Sequence, residues 1–285
     1  MRRGWSERDP ARILITGCSS GIGRALCTEL SGRGHHVIAT AREQADWPAE
    51  PPMAARLELD VTDADSIAAA AEAAGPVDVL INNAGVTAWA PLEVMPIDTA
   101  HRVFDTNVWG TLRMARALLP GMRARRRGRL INISSAALRG YPLLGLYAAS
   151  KTALETLSET MRLELAGSGV DVVLAEPAAV VTSFGANRMP VEVTGAPYRD
   201  LTDRAFRFLQ SMRGVTLSAQ EAAEAIADLV HRDDPPLRVP IGPDGARLVA
   251  QRRTVGDEEF ERSVLDGLGD PEPVDRLGNP PRDHS

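Results

Sequence analysis

From Arg12 to about Val180, short apolar runs alternate with longer amphipathic stretches, and this alternation restricts the possible folds more than any other feature of the chain. The runs are Ile13–Thr16, His36–Thr40, Arg56–Leu59, Val77–Ile81, Arg129–Ile133 and Val170–Ala175, with a weaker one at Leu237–Ile241. Most are apolar nearly throughout, as strands covered on both faces must be. Between them the spacing turns helical, and Gly32, Gly34, Gly75, Gly167 and Gly169 punctuate the joins. Strand and helix in repeated order predict an α/β fold, a doubly wound parallel sheet forming one domain. Such sheets bind ligands at the carboxyl ends of their strands.

A chain of 285 residues, 44% of them hydrophobic, can bury a core of its own. The net charge of −6 gives no cationic face for nucleic acid, and the basic run Arg123–Arg129 reads as a solvated helix end favoured by the dipole. No apolar run approaches the ~20 residues of a membrane span, and the first residues lack the apolar segment of a secretory signal. Cys18 and Cys27, on a loop and on the helix after it, suggest neither a disulfide scaffold nor a zinc site. The expectation is a soluble cytoplasmic protein with no metal, nucleic-acid or membrane partner. Residues 1–10 read as an N-terminal extension and 11–268 as the domain. Within the domain, 182–216 is a loose polar segment able to cover a site, and 269–285 is a disordered tail rich in proline and charge.

Between the first strand and the first helix lies Thr16-Gly17-Cys18-Ser19-Ser20-Gly21-Ile22-Gly23. Glycines there let the backbone turn tightly and approach a pyrophosphate, whose charge the free N–H groups of a helix N-terminus favour. A tight turn of structural glycines is the alternative, because the Gly-x-x-x-Gly-x-Gly spacing departs from the commoner dinucleotide fingerprint. An acid ending the second strand would bind the ribose of NAD, whereas a cation suits a 2′-phosphate. Ala41 stands in the acid's place and Arg42 follows, which points to NADP(H); an ordinary solvated arginine is the alternative. Asp60, next to Val61, has the chemistry to accept from an adenine amino group or to cap the next helix, as do Thr62 and Asp63.

Tyr147 and Lys151 are four apart at the start of a helix and share a face. An ammonium beside a phenol lowers the phenol's pKa from about 10 toward neutrality and fits it for general acid and base work. The same spacing also occurs in plain surface pairs. Two facts set this pair apart: it follows a strand ending in Ser134-Ser135, and Lys151 is the one lysine among 32 basic residues.

Thr16-Gly17-x-x-x-Gly21-Ile22-Gly23, Asn82-Asn83-Ala84-Gly85, Asn107, Ser134-Ser135, Tyr147-x-x-x-Lys151 and Pro177 together resemble, in order, the short-chain dehydrogenase/reductase family over roughly residues 10 to 245. The resemblance implies a Rossmann fold and an NADP-dependent oxidoreductase that interconverts a carbonyl and a secondary alcohol. Tyr147 would be the proton donor or acceptor, with Lys151 on the nicotinamide ribose. A serine would bind the carbonyl oxygen, and Asn107 would pin a water in a proton relay. Cofactor contacts would come from Gly17, Ser19, Ser20, Gly21, Ile22, Gly23, Arg42, Asp60, Val61, Asn83, Ala84, Gly85, Pro177, Val180 and Thr182. A homodimer or homotetramer joined through the Tyr147 helix and its predecessor is also implied. An NAD-linked alcohol dehydrogenase and a non-catalytic dinucleotide sensor are the rival readings.

The chain departs from the family in two places. The usual twelve-residue gap before the tyrosine selects Ser134, whereas the strand register selects Ser135 with a following loop shortened by one; shortening a loop costs less than shifting a buried strand, which favours Ser135. Ala178 follows Pro177 where glycine is usual, and would be strained at positive φ. Leu138, Tyr141, Leu143, Leu144 and Phe184 suggest a modest-sized apolar substrate. Trp89 and Trp109 read as packing residues and His101 as helix surface.

Overall fold

The computed structural model describes residues 10–43, 55–136, 138–182, 188–193, 196–212 and 214–269. Nearly all of the expected N-terminal extension, the tail beyond Gly269, and residues 183–187 with Phe184 lie outside the described residues.

The chain begins β1 (Arg12–Ile15), α1 (Gly21–Gly32), β2 (His36–Ala41), β3 (Ala55–Glu58), α2 (Ala64–Ala74), β4 (Val79–Asn82) and β5 (Thr87–Ala88). Then come α3 (Ile97–Phe104), a π-helical turn (Asp105–Gly110), α4 (Thr111–Arg125), β6 (Gly128–Ile133) and α5 (Gly145–Glu164). β7 (Val170–Pro177), β8 (Val180–Val181), β9 (Arg188–Met189), α6 (Ala196–Ser211), β10 (Leu217–Ser218) and α7 (Ala219–Ala227) follow. β11 (Arg238–Ile241), α8 (Pro243–Thr254) and α9 (Asp257–Leu268) complete the order.

Seven strands form one parallel sheet in the order β11-β7-β6-β4-β1-β2-β3. This is the doubly wound Rossmann arrangement expected from the alternation. Each expected strand is present, with ends that differ by at most two residues. Side chains alternate across a strand, so β1 sends Ile13 and Ile15 to one face and Leu14 to the other, all fully buried. The first face packs on Leu26 and Leu30 of α1 and Ile226 of α7; the second packs on Met114, Leu118 and Met122 of α4. The edge strand β3 alternates between half-buried and exposed. Strand order reverses between β1 and β4, which opens a crevice at their carboxyl ends.

Two expectations are corrected here. The segment 182–216 is not loose throughout: α6 occupies its second half, because Leu201, Ala205 and Phe208 recur at helical spacing. The arginine run is a solvated helix end only in part: Arg123, Arg125 and Arg126 are exposed, yet some of the run also binds carbonyls. Arg125 donates to the Val77 carbonyl at 2.6 Å and Arg126 to that of Gly167 at 2.9 Å. Arg129 is buried, donates to the Leu229 and Val230 carbonyls, and pairs with Asp171 at 3.0 Å. These arginines satisfy carbonyls of turns and connections between elements. Among the described residues, no helix is long and apolar enough to cross a membrane.

Candidate active site

The loop after β1 is fixed by bonds from the end of β4. The Thr16 hydroxyl accepts from the backbone N–H groups of Asn83 (3.0 Å) and Ala84 (2.9 Å), and Asn83 Nδ2 donates to the carbonyls of Thr16 and Gly17. Thr16, outside the expected set of cofactor contacts, is the residue that ties this loop to the end of β4. Gly17 sits at φ +74°, and a Cβ on Gly23 would lie 2.2 Å from the Gly17 carbonyl oxygen. Two glycines are therefore required, one by conformation and one by space. At the N-terminus of α1, Ser20 makes no side-chain cap and the first turn holds no acid, so the orphan N–H groups face the crevice unneutralised.

That crevice is a cleft of about 420 Å³. Gly17, Ser19, Ser20, Gly21 and Ile22 line it, with Arg42, Asp60, Val61, Asn83, Ala84 and Gly85 further along. Ser135, Tyr147, Lys151, Pro177, Val180 and Thr182 complete the expected set on its walls, while Gly23 and the buried Asn107 stand just behind. Arg42 is exposed. Asp63, not Asp60, caps α2 by accepting from Asp65 N and Ser66 N. Asp60 instead folds an Asx turn, its Oδ1 accepting from the backbone and hydroxyl of Thr62 at 2.8 and 2.7 Å. Thr182 packs over Gly21. Ala178 is not among the residues at positive φ, so replacement of glycine there stores no backbone strain.

The two serines that follow β6 both line the cleft, but their hydroxyls have different partners. Ser134 Oγ donates to Glu155 Oε1 at 2.9 Å in a buried contact, whereas Ser135 hydrogen-bonds with the Tyr147 phenol. Lys151, one helical turn beyond Tyr147, is buried and donates to the Ile133 carbonyl at 2.8 Å. Burial pushes the Tyr147 phenol up to about 12, and the Ser135 hydrogen bond acts in the opposite direction. This overturns the expectation of a phenol drawn toward neutrality: the ammonium is turned to a carbonyl, and burial brings Lys151 itself down to about 8.

Asn107 lies in the π-helical turn, where its Oδ1 accepts from Val86 N and its Nδ2 donates to Val86 O, both at 2.9 Å. Its Nδ2 also donates to Ser150 Oγ at 3.0 Å, so the side chain clasps the segment after β4 to α5. Ser150 was not anticipated; only its place beside Lys151 hinted at it. The residues taken as substrate-facing mostly are not. Leu138, Tyr141, Leu143 and Leu144 are absent from the cleft walls, and Tyr141 packs on Phe208 and Phe260. Among the apolar wall residues, Val86 and Met189 lie on the same side as a cluster with Met95 and Leu146. Trp89 stacks near Phe206, with the Arg188 guanidinium 5.6 Å from the Trp89 ring.

The family model for short chain dehydrogenases matches residues 11–192. The chain belongs to the short-chain dehydrogenase family. This short-chain dehydrogenase is 36% identical over 241 residues to a 3-ketodihydrosphingosine reductase of Bacteroides thetaiotaomicron, covering 82% of this chain and 88% of the relative. It is 33% identical over 251 residues to retinol dehydrogenase 8 of Homo sapiens, covering 80% of each. A crystal structure of a short-chain dehydrogenase from Streptomyces avermitilis superposes with a TM-score of 0.78 at 32% identity, over 92% of this chain and 100% of that one. As a short-chain dehydrogenase the chain is an oxidoreductase that acts on small molecules with a nicotinamide dinucleotide.

Proposed function

We propose that the chain is an NADP(H)-dependent oxidoreductase that interconverts a carbonyl and a secondary alcohol, with Tyr147 as general acid and base. The observation that carries this reading is the Ser135–Tyr147 hydrogen bond on the cleft wall, with Lys151 one turn away on the same helix. The cleft fits a dinucleotide by its cradle: Gly17 and Gly23 let the loop close against Ala84 and Asn83 where a Cβ would clash, and uncapped N–H groups of α1 favour a pyrophosphate. Arg42 offers a planar guanidinium next to Ala41, which stands where an acid would bind a free ribose, and this suits a 2′-phosphate.

A carbonyl oxygen set between the two hydroxyls accepts a hydrogen bond from Ser135, where negative charge develops, and a proton from Tyr147. A phenol at about 12 keeps its proton at neutral pH, the state a donor needs. When bound, the nicotinamide gives or takes the hydride. Lys151 holds the ribose, while Asn107 fixes Gly85 and Val86 against Lys151 and supports the proton relay. Gly21, Ile22, Asp60, Val61, Pro177, Val180 and Thr182 hold the dinucleotide along the cleft.

Val86 and Met189 favour an apolar substrate, in keeping with relatives named for 3-ketodihydrosphingosine and retinol. The same reading has a cytoplasmic homodimer or homotetramer joined through α4 and α5, where Leu163 of α5 is exposed. A panel of ketones and aldehydes followed by NADPH absorbance tests the proposal. We expect turnover that falls at least ~100-fold in Tyr147→Phe with NADPH binding unchanged. Wild-type rates in that variant would refute the role of Tyr147, and tight NADPH binding with no turnover across the panel would establish the sensor instead. NADH binding tighter than NADPH, indifferent to Arg42→Ala, would assign the NAD-linked alternative.

A further inference from the structure

We propose that Glu155 is a positioning residue that aims Ser135 at the substrate through its bond to Ser134, an inference that rests on the function proposed above. Ser134 and Ser135 follow β6, and the N–H groups of Ser134 and Ala136 donate to the Ala175 and Pro177 carbonyls, so the pairing with β7 runs on as in a strand, where successive side chains point to opposite sides. Fixing one therefore fixes the direction of the other. Ser134 Oγ is held by Glu155 Oε1 at 2.9 Å, and Ser134 is 2% exposed. Glu155 follows Tyr147 and Lys151 at steps of four on α5, so the carboxylate that holds the serine strand stands on the helix that carries the tyrosine. The separation of the two hydroxyls is set by one rigid element.

The carboxylate has its own support. Arg252 of α8 donates to Glu155 Oε2 at 3.1 Å and Oε1 at 3.4 Å, and Arg238 of β11 lies 3.4 Å from Oε2. The same Arg252 nitrogen reaches Glu176 Oε1 at 3.1 Å, one residue before Pro177 on the cleft wall. Stability alone does not require this arrangement, since buried ion clusters are commonly replaced by apolar packing without loss. A carboxylate whose remaining acceptor capacity is aimed at Ser134 defines a direction, which apolar packing does not.

The test is steady-state kcat with NADPH and a carbonyl from the panel, measured in two backgrounds. Ser134→Ala is expected to lower kcat about 10-fold with the KM for NADPH within two-fold, and to cause no further loss when Ser135 is already alanine, because no hydroxyl remains to be aimed. Equal losses in both backgrounds, or none in the first, overturn the proposal. Glu155→Leu should match Ser134→Ala, and Glu155→Gln, which keeps an acceptor for Ser134, should recover kcat; equal activity in the leucine and glutamine variants also overturns it. An inactive wild-type chain overturns the underlying function, an outcome distinct from an active chain whose serine and glutamate variants do not interact.

Discussion

The two ends of the cleft are built by different means. At the phosphate end, Thr16, Gly17, Gly23 and Asn83 meet through side-chain-to-backbone bonds of about 3 Å and through contacts that leave no room for a Cβ. At the far end, the two-residue ladder of β5 with β9 and the Trp89–Phe206 pair beneath Arg188 support the wall mainly by packing. The first end is defined by hydrogen-bond geometry and admits few substitutions. The second is a packing solution that many residue sets can satisfy. Chemistry common to a whole family can thus sit beside a wall refitted for each substrate.

Variants can break or sharpen that contrast. The largest effect on turnover belongs to Ser135→Ala, between the two ends: kcat should drop by about 10²- to 10³-fold, as when a donor to a developing oxyanion is removed. Gly23→Ala should weaken NADPH binding by about 100-fold in a fluorescence titration, because the new methyl meets the Gly17 carbonyl at 2.2 Å; unaltered binding would mean the phosphate end is softer than described. Arg42→Ala should weaken NADPH about 10-fold and leave NADH unaffected, the loss expected for one charge-assisted contact. Trp89→Ala should raise the carbonyl KM only about two- to five-fold at constant kcat, since cation–π and ring contacts contribute about 1 kcal/mol.

Behind both ends, burial first and then Glu155 push the Glu176 carboxyl up to about 7. The folded chain then keeps a proton that the unfolded chain has already lost at 4.5, so this group makes stability fall as pH climbs from 4.5 to about 7. Thermal midpoints of Glu176→Gln should show a shallower decline across that window than the parent.

Much of this site is legible in sequence because its parts are local. The glycine loop, Asn83-Ala84-Gly85 and the Tyr147–Lys151 spacing each occupy a few consecutive residues at a strand end, and the alternation of runs places those ends together. Ser135 rather than Ser134 facing Tyr147 follows from strand register, which is also a local property. What escaped depends on distant partners. The phenol's shift depends on how deeply α5 is covered, the work of the arginine run depends on carbonyls about 40 to 100 positions away, and Tyr141 turns from the cleft because Phe208 and Phe260 claim it. α6 was hidden by prolines and charges around a short apolar stripe.

The π-helical turn at Asp105–Gly110 sets the phase of the helix that follows it. Buried positions there recur at Thr99, Val103, Asn107 and Thr111, a step of four that a helix of about 3.6 residues per turn cannot keep on one face, whereas a wider turn can. Removing one residue from this turn would barely shorten the helix. The wide turn takes up one residue more than the same arc of α-helix, so the shortened segment would close to ordinary α-helix with Met114, Leu118 and Met122 still facing the core, and the loss would fall on the placement of Asn107 against Val86.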